Sequence, residues 1–468
     1  MKNSIKLFAV GALLILSSCS KDFVKQERPL VTNPSDVYAS AENIENALRG
    51  CYSRFKGAFM GGKMYAVFDS RGEDILNVSN FQTLQQTYQM GVTNVSSENS
   101  SFWSTAYYII NTCNLFIDDM AENETAEVVG QTLYDQYVAE AKFLRAYTYY
   151  VLCQLYSQPY SLNPQAKAVP LRLTGLAESG HNDCPRSTIG EIYETILTDL
   201  TPNALPSAPG TYEGTTRASK AAAQMLRMRV YMAMEQWSNA IAEGEAITGY
   251  ELASDITSLY GVDTYNNKEM IFVLPMTLQE TPNTQLGLVE YYSVQHDVCT
   301  IDTDAGILAV DGYNSEWDDR IYQLTAENAG KLYTLKYSDS NKLDWVPQMR
   351  YAETMLNLAE CYVNTPGNEA KAKDMLKQIR DRAYSEGGDE LDIDALPGTA
   401  LREAVYNERR LELLAEGVRG IDIIRRGENF VKGGTAASPF SCDIAPSSPY
   451  YTWPIPQIEV AYNRAIND

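Results

Sequence analysis

Two long segments with apolar residues on more than one helical face constrain the fold of this chain more than any other feature. They are SFWSTAYYIINTCNLFIDDM, Ser101–Met120, and YDQYVAEAKFLRAYTYYVLCQLY, Tyr134–Tyr156. A helix that is apolar on several faces is stable in water only when neighbouring elements cover those faces. The sequence therefore predicts a large helical protein in which these two helices are buried between others.

Two further segments have the pattern of antiparallel helix pairs. The first, Thr216–Ile247, is similar to a tetratricopeptide unit, because Tyr231, Trp237 and Ala240 occupy positions where such units place aromatic and small residues at the helix crossing. The second, Met349–Ala383, has a comparable pattern. The predicted fold class is mostly all-α, with a tetratricopeptide-like helix-pair scaffold.

The helical periodicity fails between the two helix pairs. Residues 250–346 are more polar and contain short runs typical of strands, such as EMIFVLP and KLYTLKYS. We interpret residues 250–346 as an irregular, partly β insertion that carries a ligand surface. We expect it to belong to a single domain over residues 36–468, whose helical parts are residues 36–249 and 347–468.

The N-terminus predicts export and lipidation. Lys2 and Lys6 precede an apolar run of ten residues, whereas a helix that crosses a bilayer needs about 20. The run ends in LSSC, which resembles a bacterial lipobox with Cys19 as the acylated residue. We expect a signal peptide over residues 1–18 and a lipidated tether over residues 19–35. The alternative is an ordinary cleaved signal followed by an unrelated cysteine.

The composition excludes several classes of function. The formal net charge is −22, which repels nucleic acid and anionic lipid headgroups. The cysteines after Cys19 are scattered, without the spacing of a zinc site, so we expect few disulfides, if any. His181 and His296 are the only histidines, and no GxSxG or Walker loop occurs, so the usual catalytic constellations cannot be assembled. We predict a protein that is not an enzyme and requires no cofactor.

Two acidic segments carry weaker signals. Glu316, Asp318 and Asp319 are of the residue type that glycosidases use, but neighbours in sequence do not establish the required separation of the carboxylates. We interpret them as a solvated loop. Oxygen ligands for a structural calcium ion are offered by Asp302, Asp304, Asp311 and Asn314. Gly306 stands where an EF-hand loop has another ligand, so we expect no metal site but keep calcium as an alternative.

The segment NERRLELLAEGVRGIDIIRRG concentrates arginines and glutamates. Glu408, Glu412 and Glu416 recur every fourth residue and are expected on one helix face, with Arg409 and Arg419 three residues from a glutamate. A phosphate clamp requires backbone donors at a glycine-rich helix start, and no such loop precedes this segment. We interpret it as an ion-paired scaffold between helices.

Five ordered motifs after the lipobox resemble the SusD/RagB family of outer-membrane nutrient-uptake lipoproteins over nearly the whole chain. They match the family patterns AEA-x-FLRA-x-xY, R-A-S/T-K-x-A-A, R-Y-A-E-x-x-L-x-x-A-E, E-R-x-x-E-L-x-x-E-G-x-R and P-I-P-x-x-E. In this chain they lie at Ala139–Tyr156, Arg217–Met232, Met349–Val363, Asn407–Gly427 and Thr452–Asn463. Each motif is weak alone, whereas five in this order are specific.

The resemblance implies a function and a location. It implies a lipid-anchored protein of the outer membrane, exposed at the cell surface, that captures a glycan. The expected partner is a SusC-like, TonB-dependent transporter in the same membrane. Two other functions stay open: binding of an oligopeptide, as in RagB-like members, and a structural lid on the transporter without ligand affinity of its own.

The resemblance also implies two regions for the ligand site. A glycan site combines exposed aromatic rings with amide, carboxylate and guanidinium groups on loops. The candidates are Arg71, Asp74, Asn80 and Phe81 between N-terminal helices, and Tyr291, Tyr292 and Trp317 in the insertion. The tryptophans assigned to the core are Trp103, Trp237 and Trp453.

Overall fold

The computed structural model describes residues 34–57, 59–79, 84–177 and 182–467. Three of the predicted functional residues, Cys19, Asn80 and Phe81, lie outside these ranges. Among the described residues, none of the helices combines the length and the apolar character that a membrane span requires.

Helices form most of the regular structure. The α-helices of the described part are α1 Pro34–Val37, α2 Ala41–Gly57, α3 Lys63–Arg71, α4 Gln85–Tyr88, α5 Ser97–Glu122, α6 Ala126–Val129, α7 Gln131–Tyr156, α8 Ile189–Asp199, α9 Tyr212–Thr216, α10 Lys220–Ala233, α11 Trp237–Glu245, α12 Val289–Tyr292, α13 Asp319–Tyr322, α14 Tyr351–Val363, α15 Glu369–Ala383, α16 Gly398–Glu412, α17 Arg419–Arg426 and α18 Gln457–Tyr462.

The strands are short and form small antiparallel sheets. They are β1 Ile75–Asn77, β2 Lys167–Pro170, β3 Arg186–Thr188, β4 Met270–Leu274, β5 Cys299–Ile301, β6 Thr325–Asn328, β7 Lys331–Thr334, β8 Val346–Arg350, β9 Phe430–Lys432 and β10 Cys442–Ile444. One sheet has the order β1-β5-β7-β6, and the others pair β2 with β3, β4 with β8, and β9 with β10. The predicted fold class, mostly helical with a partly β insertion, is confirmed.

The two long apolar helices are α5 and α7, and they pack against each other. Every residue of α7 from Phe143 to Tyr156 is buried, as expected for a helix that is apolar all round. Trp103 on α5 is also buried, and its ring makes an edge-to-face contact with the ring of Tyr156. The assignment of Trp103 to the core is therefore confirmed. Trp453 is buried as well, and Trp237 is half-buried against the core.

The predicted helix pairs are α10 with α11 and α14 with α15, and α11 packs on α14. Small residues allow the helices to approach closely at these crossings. A Cβ atom on Gly244 of α11 would lie 2.8 Å from side-chain atoms of both Leu358 and Met228. Ala240, on the same helix, is fully buried. The tetratricopeptide-like packing predicted from Ala240 is confirmed.

A buried cluster of charges joins these helices to the insertion. Glu412 ends α16 and is 1% exposed. Its carboxylate accepts hydrogen bonds from Arg350 at 2.6 Å, Arg382 at 2.5 Å and Arg320 at 3.2 Å. Arg320 and Glu408 form another ion pair within the cluster. Because a buried carboxylate without partners costs several kcal/mol, the three guanidinium groups are needed where they lie.

The ion-paired scaffold predicted for this segment is confirmed, but two details of the prediction are wrong. Helix α16 ends at Glu412, and Ala415 has a φ of 64°, so Glu416 lies on a turn beyond the helix. The arginines also find more distant partners than expected. Arg409 pairs with Asp422, and Arg419 pairs with Glu73.

Asp318 does not lie in a solvated loop, contrary to the prediction. Its carboxylate is fully buried and forms a bidentate pair with Arg320, at 2.9 and 2.6 Å. Asp318 also accepts a hydrogen bond from the backbone N–H of Arg320, which caps α13. Glu316, in contrast, is exposed, and Asp319 is half-buried. The prediction failed because Asp318 pairs with Arg320, which in turn pairs with Glu408 and Glu412 of α16.

Asp69 on α3 is a buried carboxylate of a different kind. It accepts hydrogen bonds from the hydroxyl group of Tyr292 at 2.5 Å and from the backbone N–H of Gly417 at 3.1 Å. Among the described residues, no cation lies within ion-pair distance of it. Burial therefore raises the pKa of Asp69 from 3.8 to about 7, although these hydrogen bonds act in the opposite direction.

The seven cysteines in the described ranges are free thiols, and five of them are buried. The prediction of few disulfides is confirmed for this part of the chain. The described residues contain no group of three His, Cys, Asp or Glu side chains placed to hold a metal ion. The Asp302 carboxylate instead accepts hydrogen bonds from the backbone N–H groups of Asp304 and Ala305. Calcium binding by this loop stays untested.

Replacing Glu412 by alanine should destabilise the protein by about 3–5 kcal/mol, because three buried guanidinium groups lose a shared partner. Glu403→Ala is the matched control, since Glu403 lies on the same helix but is exposed, and surface changes cost at most about 0.5 kcal/mol. Chemical denaturation of the full-length protein measures both. Equal stability of the two variants would contradict the energetic role of the cluster.

Asp69→Asn should change how stability depends on pH. Between about pH 4 and pH 7 the folded protein holds a proton on Asp69 that the unfolded chain has released. The contribution of Asp69 to stability is therefore fully present below pH 4 and is lost as pH rises to 7, by up to about 1.4 kcal/mol per pH unit. The stability of the wild type relative to the variant, from melting curves, should fall across this range. A constant difference would show that Asp69 has an ordinary pKa.

Candidate ligand-binding surface

Arg71 and Asp74 are structural residues in this fold, not exposed binding groups. Arg71 is fully buried, donates a hydrogen bond to the carbonyl oxygen of Tyr451, and lies 4.4 Å from the ring centre of Phe430. Asp74 is buried and accepts a hydrogen bond from Arg410 at 2.6 Å. Both residues join the end of α3 to C-terminal elements. The prediction that Arg71 and Asp74 are available to a ligand at the surface is therefore corrected: both are buried and bonded to other parts of the protein.

Tyr291 and Tyr292 are also buried, so they offer no ring face at the surface. Tyr292 donates its hydroxyl proton to Asp69, and its ring centre lies 5.6 Å from that of Tyr337. Tyr291 donates to the backbone carbonyl of Gln285. The prediction that these two rings form a platform for a ligand is wrong for the described structure, because both rings are packed inside the core.

Trp317 is the one predicted site residue that the described structure places at the surface, with 55% of the residue exposed. Its backbone N–H donates to the hydroxyl group of Ser315 at 3.2 Å. One side of its ring lies against the backbone of Gly388, which has a φ of +89°. A Cβ atom at position 388 would lie 2.8 Å from Cγ of Trp317. Glycine is thus required there for both its conformation and its size.

The position of Trp317 is fixed by the buried charges beside it. Asp318 is the next residue in the chain and pairs with Arg320, which is also paired with Glu408 and Glu412 on α16. The indole therefore projects from a short segment that is tied to the core within three residues. A rigid ring loses little conformational entropy when a ligand stacks on it.

Polar side chains lie on the α13 turn, which begins two residues after Trp317. Asp319, Tyr322 and Gln323 share one face of the α13 turn, because they are separated by three and four residues. The Asp319 carboxylate accepts hydrogen bonds from Ser385 and from Gln323, both at 2.6 Å. Tyr322 is 77% exposed. We refer to these four residues together with Trp317 as the Trp317 patch.

The Trp317 patch combines two aromatic side chains with a carboxylate, an amide and a hydroxyl group. Sugar rings present C–H faces that pack on aromatic rings, while their hydroxyl groups exchange hydrogen bonds with planar polar groups. The patch therefore has the chemistry that a saccharide requires. The sequence analysis names Trp317 as a candidate but not Tyr322 or Ser385. The helical spacing from Asp319 is a signal for Tyr322, whereas nothing in the sequence indicates Ser385.

Two family profiles match different parts of this chain. Residues 312–467 match the profile of the SusD family. Residues 27–232 match a profile described as starch-binding, associating with outer membrane. This description agrees with the outer-membrane location that the lipoprotein signal predicts. Among curated proteins, SusD-like protein P2 of Formosa agariphila is 23% identical, with 90% of each chain covered.

Solved structures give a closer relationship. A SusD-like carbohydrate binding protein from Bacteroides fragilis has 19% identity and a TM-score of 0.71, over 92% of this chain and 99% of its own, which shows a shared fold. A SusD superfamily protein from the same species has a TM-score of 0.88 and 48% identity, over 92% of this chain and 100% of its own. At that identity and coverage, the chain belongs to the SusD superfamily.

Proposed function

We propose that this protein binds an oligosaccharide at the outer membrane and delivers it to a SusC-like, TonB-dependent transporter. The observation that carries the proposal is the exposed ring of Trp317, with groups suited to sugar hydroxyls on the adjoining α13 turn. The family description of starch binding and outer-membrane association supports both the ligand class and the location. In this proposal the protein makes and breaks no covalent bond of the ligand.

The surface of the patch fits this role physically. The neighbouring residues Asp318, Arg320 and Glu408 are buried, and they form ion pairs with one another in the core. The groups left at the surface are not part of these ion pairs, so a ligand can contact them without breaking the pairs. Sugar binding at such an open platform gives modest affinity for one ring, and longer chains gain from contacts beyond it.

An oligopeptide is the second candidate ligand, and one observation favours it. Strand β6 is an edge of the four-stranded sheet and follows α13 directly in the chain. Glu327 and Asn328 on this strand are exposed. An extended peptide can add to such an edge through backbone hydrogen bonds. A binding screen that offers both glycans and peptides separates the two candidates, and a structural lid without its own affinity would bind neither.

Cys19→Ala should block acylation and leave the protein unprocessed or wrongly located. The lipid on Cys19 is the proposed anchor, and no helix in the described ranges could replace it. Two or more acyl chains are needed for stable anchoring, since one chain binds only marginally. Labelling with a radioactive fatty acid, followed by membrane fractionation, tests this. Absence of label on the wild type would overturn the lipoprotein assignment.

Trp317→Ala should abolish measurable binding of the recognised oligosaccharide while leaving the melting temperature unchanged, because the indole is exposed and its anchor residues remain. Tyr450→Ala is a suitable control, since Tyr450 is 60% exposed and does not belong to the patch. Isothermal titration of both variants decides the question. Normal binding by Trp317→Ala would place the platform elsewhere on the protein.

A further inference from the structure

We propose a second saccharide site in a cleft between α2, α9 and the end of β4. The cleft has a volume of about 220 Å³ and shares no lining residue with the Trp317 patch. The residues that carry the argument are Arg49, Ser53, Lys56, Tyr212, Glu213 and Glu280. We refer to this feature as the Tyr212 cleft; its ligand class rests on the proposed function, whereas its geometry does not.

Tyr212 supplies an aromatic surface in this cleft. It is the first residue of α9, which is capped by the Thr211 hydroxyl accepting from the backbone N–H of Gly214 at 3.1 Å. The Tyr212 ring stands nearly perpendicular to the rings of Tyr265 and Trp345, with centroids 5.5 and 6.0 Å away. Although these contacts fix the ring, Tyr212 remains 49% exposed. It is therefore a held, half-open ring of the kind that can stack on a sugar.

Apolar and polar walls complete the cleft. Leu274 and Pro275 line it at the end of β4, where they can contact C–H groups. Lys56 on α2 forms an ion pair with Glu280, which follows β4 in the chain, so this pair links two walls. The side chain of Glu280 is half exposed, and its carboxylate can therefore accept further hydrogen bonds from a ligand.

Other polar groups in the cleft have hydrogen-bonding capacity to spare. Within the described ranges, the side chains of Ser53 and Glu213 make no hydrogen bond or ion pair with the protein. Arg49 is held by Glu45 at 2.8 Å, yet most of its side chain is exposed. A hydroxyl, a carboxylate and a guanidinium group are thus available around the Tyr212 ring.

The charge balance selects the class of ligand. Arg49, Lys56 and Arg217 are each paired with a glutamate, and Glu213 adds a further negative charge. A phosphate or other strong anion would have to compete with these carboxylates. A neutral molecule with one apolar face and many hydroxyl groups has no such conflict. The cleft is about the size of one sugar ring, so it suits a single residue of a glycan.

Two saccharide sites on one chain have a functional consequence. A polysaccharide long enough to reach both sites gains effective concentration at the second one after it binds the first. The Tyr212 cleft would then retain polymers near the Trp317 patch. Short oligosaccharides would depend on one site only.

The test uses the full-length protein in affinity electrophoresis through gels that contain starch, xylan, mannan or a neutral β-glucan. Tyr212→Ala should weaken retention by the retarding polysaccharide about tenfold, while Tyr212→Phe, which keeps the ring, retains most of it. Tyr108→Ala is the matched control, because Tyr108 is 50% exposed and does not line the cleft. Unchanged melting curves show that each variant is folded.

Three results would overturn the proposal, and they are distinguishable. If Tyr212→Ala is retained like the wild type while Trp317→Ala is not, the second site is wrong and the proposed function stands. If none of the four polysaccharides retards the wild type, the proposed function is contradicted, and the second site with it. Equal losses in Tyr212→Ala and Tyr108→Ala also contradict a site at the cleft.

Discussion

The buried carboxylate of Glu412 is the interaction on which the arrangement of this protein depends. It receives guanidinium groups from three separate segments: Arg320 in the insertion, Arg350 at the end of β8 and Arg382 on α15. Buried charges stabilise little compared with apolar packing, but each is costly when unpaired. Bringing these three segments together at one buried carboxylate therefore contributes to how the insertion and the helix pairs sit against each other.

The helical scaffold could be predicted from sequence because its signals are local. The periodicity of α7 and the small residues of α11 report burial directly. The ion-pair partners could not be predicted in this way, since Arg320 and Glu412 lie 92 positions apart. The same limit applies to Tyr292, which the sequence predicts at the surface: nothing near it in sequence reveals the carboxylate of Asp69, which accepts a hydrogen bond from its hydroxyl group.

The cluster also explains why a ligand surface can exist on an otherwise irregular insertion. Trp317 is exposed, but the next residue is buried and bonded to Arg320. An aromatic ring on a flexible loop would lose mobility on binding, at a cost in affinity. Here the segment that carries Trp317 is already ordered in the folded protein, because Asp318 is bonded to Arg320. The Tyr212 ring is held by neighbouring rings instead, so the two surfaces reach a similar rigidity by different interactions.

The most direct test of this account is a crystal structure of the full-length protein bound to the oligosaccharide that it retains most strongly. The account predicts a sugar ring stacked on the indole of Trp317, with hydroxyl groups bonded to Asp319 or Gln323, and with the Asp318–Arg320–Glu412 contacts unchanged from those described. A sugar bound only at another surface, with the Trp317 ring free, would contradict it.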